Sequence, residues 1–211
     1  GQAPDSYVRY HRIEDVRGLA MPDWRGSPVM GMVLDCIDVL KERTRGRFPI
    51  ALTDTQSPFD TATLVRDTSE FFTACYTEEE TVAGLMAAVT ELIIAFSREQ
   101  ARHIADDMVS RPGHVMPSLP GFRGITLSDD NLAVSSPIIN ERFSLPCNQR
   151  IAEAFGGVAV HSCGAWDHTM KLLPGRGVMG IDCAVSGASD PTPMPPERVR
   201  AALAGTGIVV K

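Results

Sequence analysis

A histidine and a cysteine stand two residues apart at the end of an apolar strand. The strand covers residues 158–160, and the pair is His161 and Cys163. Since alternate side chains of an extended chain share one face, an imidazole and a thiol at this spacing can meet one ion. Both groups are ligands of Zn²⁺ in proteins. The alternative is that the pair has no metal role, as is common for short His-x-Cys spacings, so a metal site here needs a third ligand.

Cys183 is the local candidate for that third ligand. It ends the next predicted strand, which reads GIDC, and so lies at the same edge of a parallel sheet. The alternative is that Cys183 is a small buried hydrophobic residue, as most structural cysteines are. The sequence leaves both interpretations open.

Two acids, Asp129 and Asp130, end the strand that precedes the His-x-Cys pair. Carboxylates at that position can bind a substrate amine, orient a metal-bound histidine or act as a general base. The alternative is that one of them caps a turn through its own backbone. We assign both as catalytic candidates. Asp54 ends an earlier strand and is a substrate-binding candidate by the same argument.

Trp166 and His168 follow the pair closely and are further substrate-binding candidates. Trp166 could form a pocket wall or belong to the core, and His168 could reach the site or be a solvated surface residue. The sequence carries no P-loop, dinucleotide fingerprint or nucleophile-elbow serine, which leaves the His-x-Cys pair as its main chemical signal.

Strands and helices alternate along most of the chain, which predicts an α/β fold with a parallel sheet in one domain over residues 1–211. A capping box at Thr77 predicts the start of the clearest helix, and Pro146 predicts a kink in a helix over 137–155. The proline-rich residues 110–122 are interpreted as a surface linker or a lid, and their position before a site strand favours the lid. The predicted strands are 48–53, 125–127, 158–160, 178–184 and 208–210.

Composition limits the class of protein. The net charge of −6 and the lack of a basic stripe argue against nucleic-acid binding. We find no apolar stretch of the roughly 18 residues that a membrane span needs, and no signal-peptide pattern at the first residue. The cysteine count is 5, an odd number without the spacing of a disulfide scaffold. We therefore expect a cytoplasmic protein.

Several stretches together resemble the uroporphyrinogen decarboxylase superfamily over roughly residue 21 to the end. They are FPIALTDTQSPFDTATLVRD with the following helix TEEETVAGLMAAVTELI, GITLSDD, FSLP with QRIAEAFGG, VHSCG, and the tail MGIDCAV with ERVRAALAGTGIVV. The resemblance implies a (β/α)₈ TIM barrel with its site at the carboxyl ends of the strands. A complete barrel of this kind takes about 250 residues and eight strands, so we expect an incomplete one here.

The family that the chain resembles contains two chemistries. Its decarboxylases remove the acetate carboxyl groups of uroporphyrinogen without metal, using an early Asp, a Tyr after the proline turn and a late His. Its methyltransferases hold zinc with a His-x-Cys pair and a distant Cys and move methyl groups between corrinoid proteins and thiols. This chain has His161 and Cys163, but it has Leu64 where the decarboxylases have Tyr. The methyltransferase-like branch is therefore the better fit.

Three hypotheses follow from this resemblance. The first is a zinc-dependent methyltransferase-like enzyme with a corrinoid, or another methyl donor, and a thiol as substrates. The second is a lyase that decarboxylates a tetrapyrrole, and the third is a non-catalytic module that binds a corrinoid protein. None of the three involves nucleic acid or a membrane, and a homodimer is left open.

Overall fold

The computed structural model describes residues 7–111 and 121–211, and the predicted lid at 110–122 lies mostly outside this part. Within it, all strands join one parallel sheet in chain order. Parallel strands in chain order, with helical connections, are the arrangement of a TIM barrel, here an incomplete one. The predicted α/β class is confirmed. The strands are Thr55–Gln56 (β1), Ile125–Ser128 (β2), Val158–Ser162 (β3), Val178–Cys183 (β4) and Val209–Val210 (β5).

Helices connect these strands and cover the sheet, with short 3₁₀ turns between some of them. Several begin with a Ser-Pro pair, in which the serine hydroxyl accepts a backbone N–H and the proline occupies a position that needs no donor. The helices are Pro28–Thr44 (α1), Pro58–Val65 (α2), Thr68–Thr77 (α3), Glu79–Ile104 (α4), Pro137–Ile139 (α5), Leu145–Phe155 (α6), Asp167–Met170 (α7) and Pro196–Leu203 (α8).

The first predicted strand, residues 48–53, is wrong in extent. Ile50 makes only an isolated bridge with Met108, and the paired strand β1 follows at Thr55–Gln56. The N–H of Ile50 donates to the carbonyl oxygen of Asp107, so this segment is tied to the end of α4 and not to the sheet. Within the apolar run FPIAL, Ile50 packs with Ile37 of α1 and Ile104 of α4, whereas Phe48 is 64% exposed.

The capping box predicted at Thr77 is also wrong. Residues 67–74, interpreted from sequence as a connection, form most of helix α3, whose cap is Asp67. Thr77 is the last residue of α3, and its hydroxyl donates to the carbonyl oxygen of Thr73. Glu78 takes the position before α4. The acidic run that resembles a helix cap in the sequence therefore lies at the junction between helices α3 and α4.

The predicted kink near Pro146 takes a specific form. The π-helical turn Asn140–Ser144 separates α5 from α6 and ends two residues before Pro146. Proline has no N–H and disrupts an i→i−4 ladder, and a π turn relieves this by shifting the hydrogen-bond register. The turn also directs the Ser144 hydroxyl toward the sheet.

Helix α4 is the central helix of the fold. Its buried face carries Val82, Leu85 and Val89 among other residues, in agreement with the predicted apolar face. Contrary to the expectation that no apolar stretch reaches the length of a membrane span, the segment Glu79–Asp107 is long and apolar enough by length and composition, and 50% of its most apolar window is buried inside the protein. Because α4 packs against neighbouring helices on several sides, we interpret it as a core helix.

The sheet has one apolar row and one polar row where its strands end. Leu127, Val160 and Ile181 are register partners and belong to the buried core. The next register row is Ser128, His161 and Asp182. Since successive side chains of a strand point to opposite faces, the apolar row packs under the helices and the polar row lies on the inner face of the incomplete barrel.

Candidate functional site

The inner face of the sheet brings a histidine, a cysteine and an aspartate together at its carboxyl edge. The Nε2 atom of His161 lies 3.4 Å from the Sγ atom of Cys163 and 3.8 Å from the Oδ1 atom of Asp130. The three ligand atoms all lie within 4.8 Å of one another. His161 lies near the end of β3, Cys163 directly follows β3, and Asp130 lies in the turn after β2.

These separations suit a tetrahedral zinc ion. Bonds of about 2.0 to 2.3 Å at tetrahedral angles separate neighbouring ligand atoms by about 3.3 to 3.6 Å. The observed 3.4 and 3.8 Å are close to that spacing. Cys163 and Asp130 are exposed and His161 is half-buried, so the group is open to solvent. Three protein ligands with one accessible position are typical of catalytic zinc sites.

A buried carboxylate holds Asp130 in place. The backbone N–H groups of Asp130 and Asn131 donate to Asp60 at 2.8 and 3.0 Å, and the Asn131 side chain adds a third bond of 2.6 Å. Asp60 lies in the first turn of α2, and burial raises the pKa of its carboxyl group. Sequence reasoning missed Asp60 because an acid in the first turn of a helix usually serves the helix dipole.

The His161 ring contacts a second carboxylate on its other side. Its Nδ1 atom lies 3.3 Å from the Oδ2 atom of Asp182 on β4, which also accepts a bond of 2.8 Å from the Nζ atom of Lys211. The contact with Asp182 raises the pKa of His161. Burial alone would raise the pKa of Asp182, but its bonds with His161 and Lys211 lower it to about 2.

Two carboxylates hold the turn that carries the cysteine. The N–H of Cys163 donates to Oδ1 of Asp130 at 2.8 Å, and the N–H of Gly164 donates to Oδ2 of Asp190 at 2.8 Å. Partial burial, followed by the nearby carboxylates Asp130, Asp190 and Asp182, raises the pKa of the Cys163 thiol. The surroundings of this thiol are thus negatively charged, which favours a cation.

The structure does not bring Cys183 to this group. Cys183 is the register partner of Ser162, so its side chain points to the opposite face from His161. It is 7% exposed and belongs to the hydrophobic core, and burial raises the pKa of its thiol to about 11. Among the described residues, the third member of the group with His161 and Cys163 is Asp130, not Cys183.

Asp129 also lies outside the group, between the sheet and the helices. It is fully buried, and its Oδ2 atom accepts hydrogen bonds from Ser144 at 2.5 Å and from Asn148 at 2.7 Å. Burial, with a contribution from the Asp60 charge, raises the pKa of Asp129 to about 7. Of the two acids, only Asp130 faces the site, because neighbouring residues at a strand end point to opposite faces.

The remaining candidates divide between the site and its surroundings. Asp54 lies beside the polar row, where its Oδ1 atom accepts a bond from Ser128 at 3.4 Å, and its charge contributes to the raised pKa of His161. Trp166 is fully buried in the core, and its Nε1 atom donates to the Ser162 carbonyl oxygen at 3.2 Å. The exposed His168 contacts the Ser135 carbonyl oxygen. Asp54 therefore lies near the polar row, whereas Trp166 is a core residue and not a pocket wall.

Comparison with known proteins gives a family and a fold. Residues 2–110 match the family model described as uroporphyrinogen decarboxylase (URO-D). Asp130, His161 and Cys163 lie beyond the matched residues. Among curated proteins, no match was found.

Solved structures also resemble this chain, and 22 chains match. One is a methyltransferase from Methanosarcina mazei, with 16% sequence identity and a TM-score of 0.70. The match covers 96% of this chain and 53% of that one. This chain therefore spans about half the length of that structure and shares its fold over that half, which agrees with an incomplete barrel.

Proposed function

The chain belongs to the uroporphyrinogen decarboxylase family, and we propose that within it the protein is a zinc-dependent methyltransferase-like enzyme. The reaction would move a methyl group between a corrinoid, or another methyl donor, and a thiol. One observation carries the proposal, namely the triangle of His161, Cys163 and Asp130 at zinc-ligand spacing. The shared fold with a methyltransferase supports it.

The residues present fit the metal in chemistry as well as in spacing. An imidazole, a thiol and a carboxylate are all zinc ligands, and the neighbouring Asp54 and Asp182 add negative charge. His161 and Cys163 would hold the ion, with Asp130 as the third ligand. Zinc bound there would lower the pKa of an incoming thiol and keep it as a thiolate nucleophile.

The chain's own residues prepare the site for such a reaction. Asp60 fixes the turn that carries Asp130, and Asp190 fixes the turn that carries Cys163. Ser128 is the register partner of His161 and donates to Asp54, whose exposed carboxylate would bind the polar end of a substrate. Groups held in this way lose little entropy when substrate binds.

Methyl transfer is the experiment that tests this proposal. Purified, zinc-loaded protein is mixed with methylcobalamin and 2-mercaptoethanol, and the methyl thioether is quantified by mass spectrometry. We expect turnover that falls by about 100-fold or more on chelation or in Cys163→Ser, because several kcal/mol of activation would be lost. The matched control Cys36→Ser changes an exposed thiol elsewhere and keeps the activity. Full activity in metal-free protein would contradict the proposal.

The alternative chemistries give different results in the same preparation. The family description itself favours decarboxylation as the second candidate, and release of CO₂ from uroporphyrinogen without methyl transfer would support it. Leu64 at the position of the family's tyrosine counts against this reaction. Tight binding of methylcobalamin without turnover of either substrate would instead indicate the non-catalytic corrinoid-binding module.

A further inference from the structure

Asp182 is placed where it can control the orientation of His161. It is the register partner of His161 on the neighbouring strand, so both side chains lie on the inner face. The Oδ2 atom of Asp182 lies 3.3 Å from the Nδ1 atom of His161. The residue is 9% exposed, so water competes little for this contact.

Lys211 also binds the carboxylate of Asp182. Its Nζ atom donates to the same Oδ2 atom at 2.8 Å. The backbone of Lys211 is also tied to β4, since its N–H donates to the carbonyl oxygen of Ile181 at 2.9 Å and its carbonyl oxygen accepts from Cys183 at 3.4 Å. The Oδ2 atom of Asp182 therefore contacts both His161 and Lys211, and the lysine is fixed by its own backbone.

The direction of the ring follows from this anchoring. A carboxylate offers only acceptors, so the contact with Asp182 favours a proton on Nδ1 of His161. The lone pair of Nε2 can then bind a metal. That atom faces Cys163 at 3.4 Å and Asp130 at 3.8 Å, so the ring has the tautomer and the direction that a ligand requires.

We propose that Asp182 is a positioning residue that fixes His161, through Nδ1, as a metal ligand through Nε2. This inference rests on the proposed function, because it assigns Asp182 a role toward the same metal. Removal of a carboxylate that orients a metal-bound histidine usually weakens metal affinity by about 10- to 100-fold.

Two substitutions separate positioning from a structural ion pair. Asp182→Asn breaks the ion pair with Lys211 and weakens the contact with His161, whereas Lys211→Met breaks the ion pair and leaves the histidine contact. Asp167→Asn is the matched control, because Asp167 pairs with Arg198 at 3.3 Å and its substitution removes one ion pair in which His161 takes no part.

The zinc dissociation constant, measured by competition with a chromogenic chelator at one pH, is the first readout. We expect Asp182→Asn to weaken zinc binding by about 10- to 100-fold, Lys211→Met to weaken it by about 3-fold or less, and Asp167→Asn to leave it unchanged. Affinity equal to wild type in Asp182→Asn would overturn the inference. An equal loss in Asp182→Asn and Lys211→Met would also overturn it, since the ion pair would then act through the fold.

A second readout needs no metal. The ¹⁵N spectrum of histidine-labelled apo protein, with the His161 signal assigned from His161→Ala, reports which ring nitrogen carries the proton. We expect one tautomer with the proton on Nδ1 in the wild type and a mixture in Asp182→Asn. Identical spectra would overturn the inference. A wild type that holds this tautomer but binds no zinc would contradict the proposed metal and leave the orienting contact standing, so the two failures are distinguishable.

Discussion

At the scale of single residues, some side chains of the proposed site can be recognised in the sequence. The residues that hold them in place cannot. His161 and Cys163 are visible as a pair because a spacing of two residues on a strand has a direct geometric meaning. Asp130 was found together with Asp129, and only the structure separates the inward acid from the buried one. Asp60 is 70 residues distant from Asp130 in the chain, so no local pattern could link them.

The role of Asp60 can be tested by its removal. Asp60→Ala leaves the backbone N–H groups of Asp130 and Asn131 without their buried acceptor, which we expect to cost about 1 to 3 kcal/mol in the free energy of unfolding. Zinc affinity is expected to fall as well, because the turn that carries Asp130 loses its anchor. Urea denaturation and chelator competition measure the two effects.

The exposed Asp35 on α1 provides the control for this substitution. Asp35→Ala is expected to change the free energy of unfolding by no more than about 0.5 kcal/mol and to leave zinc affinity unchanged. If Asp60→Ala were as stable as Asp35→Ala, the three hydrogen bonds to Asp60 would have no structural importance.

At the scale of secondary structure, periodicity predicted the elements that are long or regular. The strands β2, β3 and β4 and the apolar face of α4 were found to within a few residues, because burial on a regular element leaves a regular pattern. The prediction failed at junctions. Helix α3 was missed and the start of α4 misplaced, because a run of acids between two helices resembles a cap.

Close approach of backbones fixes the strands that carry the site. Gly124 precedes β2 with a φ of 120°, in the region that favours glycine, and a Cβ there would overlap the carbonyl oxygen of Gly157 before β3. We expect Gly124→Ala to destabilise the protein by more than about 2 kcal/mol, since both the backbone angle and the contact oppose it. Chemical denaturation measures this loss.

Gly187 is the matched control for the effect of the added methyl group. Its φ lies outside the left-handed region, and a Cβ added there would meet no heavy atom within 4 Å beyond its chain neighbours. We therefore expect Gly187→Ala to stay within about 0.5 kcal/mol of the wild-type free energy of unfolding. Equal stability of the two variants would show that β2 and β3 do not need the close approach.

At the scale of the whole molecule, the order of strands and helices along the chain was enough to predict the fold class. Alternating strands and helices predicted a parallel α/β fold, and the sheet has its strands in chain order. The sequence could not show which residues of neighbouring strands share a face, because that depends on the register between strands. This is why the sequence indicates Cys183 as a ligand candidate and gives no sign of its neighbour Asp182, although only Asp182 faces His161.

The proposed site lies wholly within the part of a barrel that this chain forms. Polar side chains of β2, β3 and β4 lie in one register row, and the match to the Methanosarcina mazei methyltransferase covers 53% of that chain. The proposed ligands come from consecutive strands, so this part of the fold brings them together by itself.

Zinc content is the measurement that tests the central claim most directly. Elemental analysis of purified protein is compared with that of His161→Ala, Cys163→Ser, Asp130→Asn and Cys183→Ala. We predict about one zinc per chain, lost in His161→Ala and Cys163→Ser, reduced in Asp130→Asn and retained in Cys183→Ala, whose side chain lies in the core. Absence of zinc from the wild-type protein, or its retention in both His161→Ala and Cys163→Ser, would contradict the account.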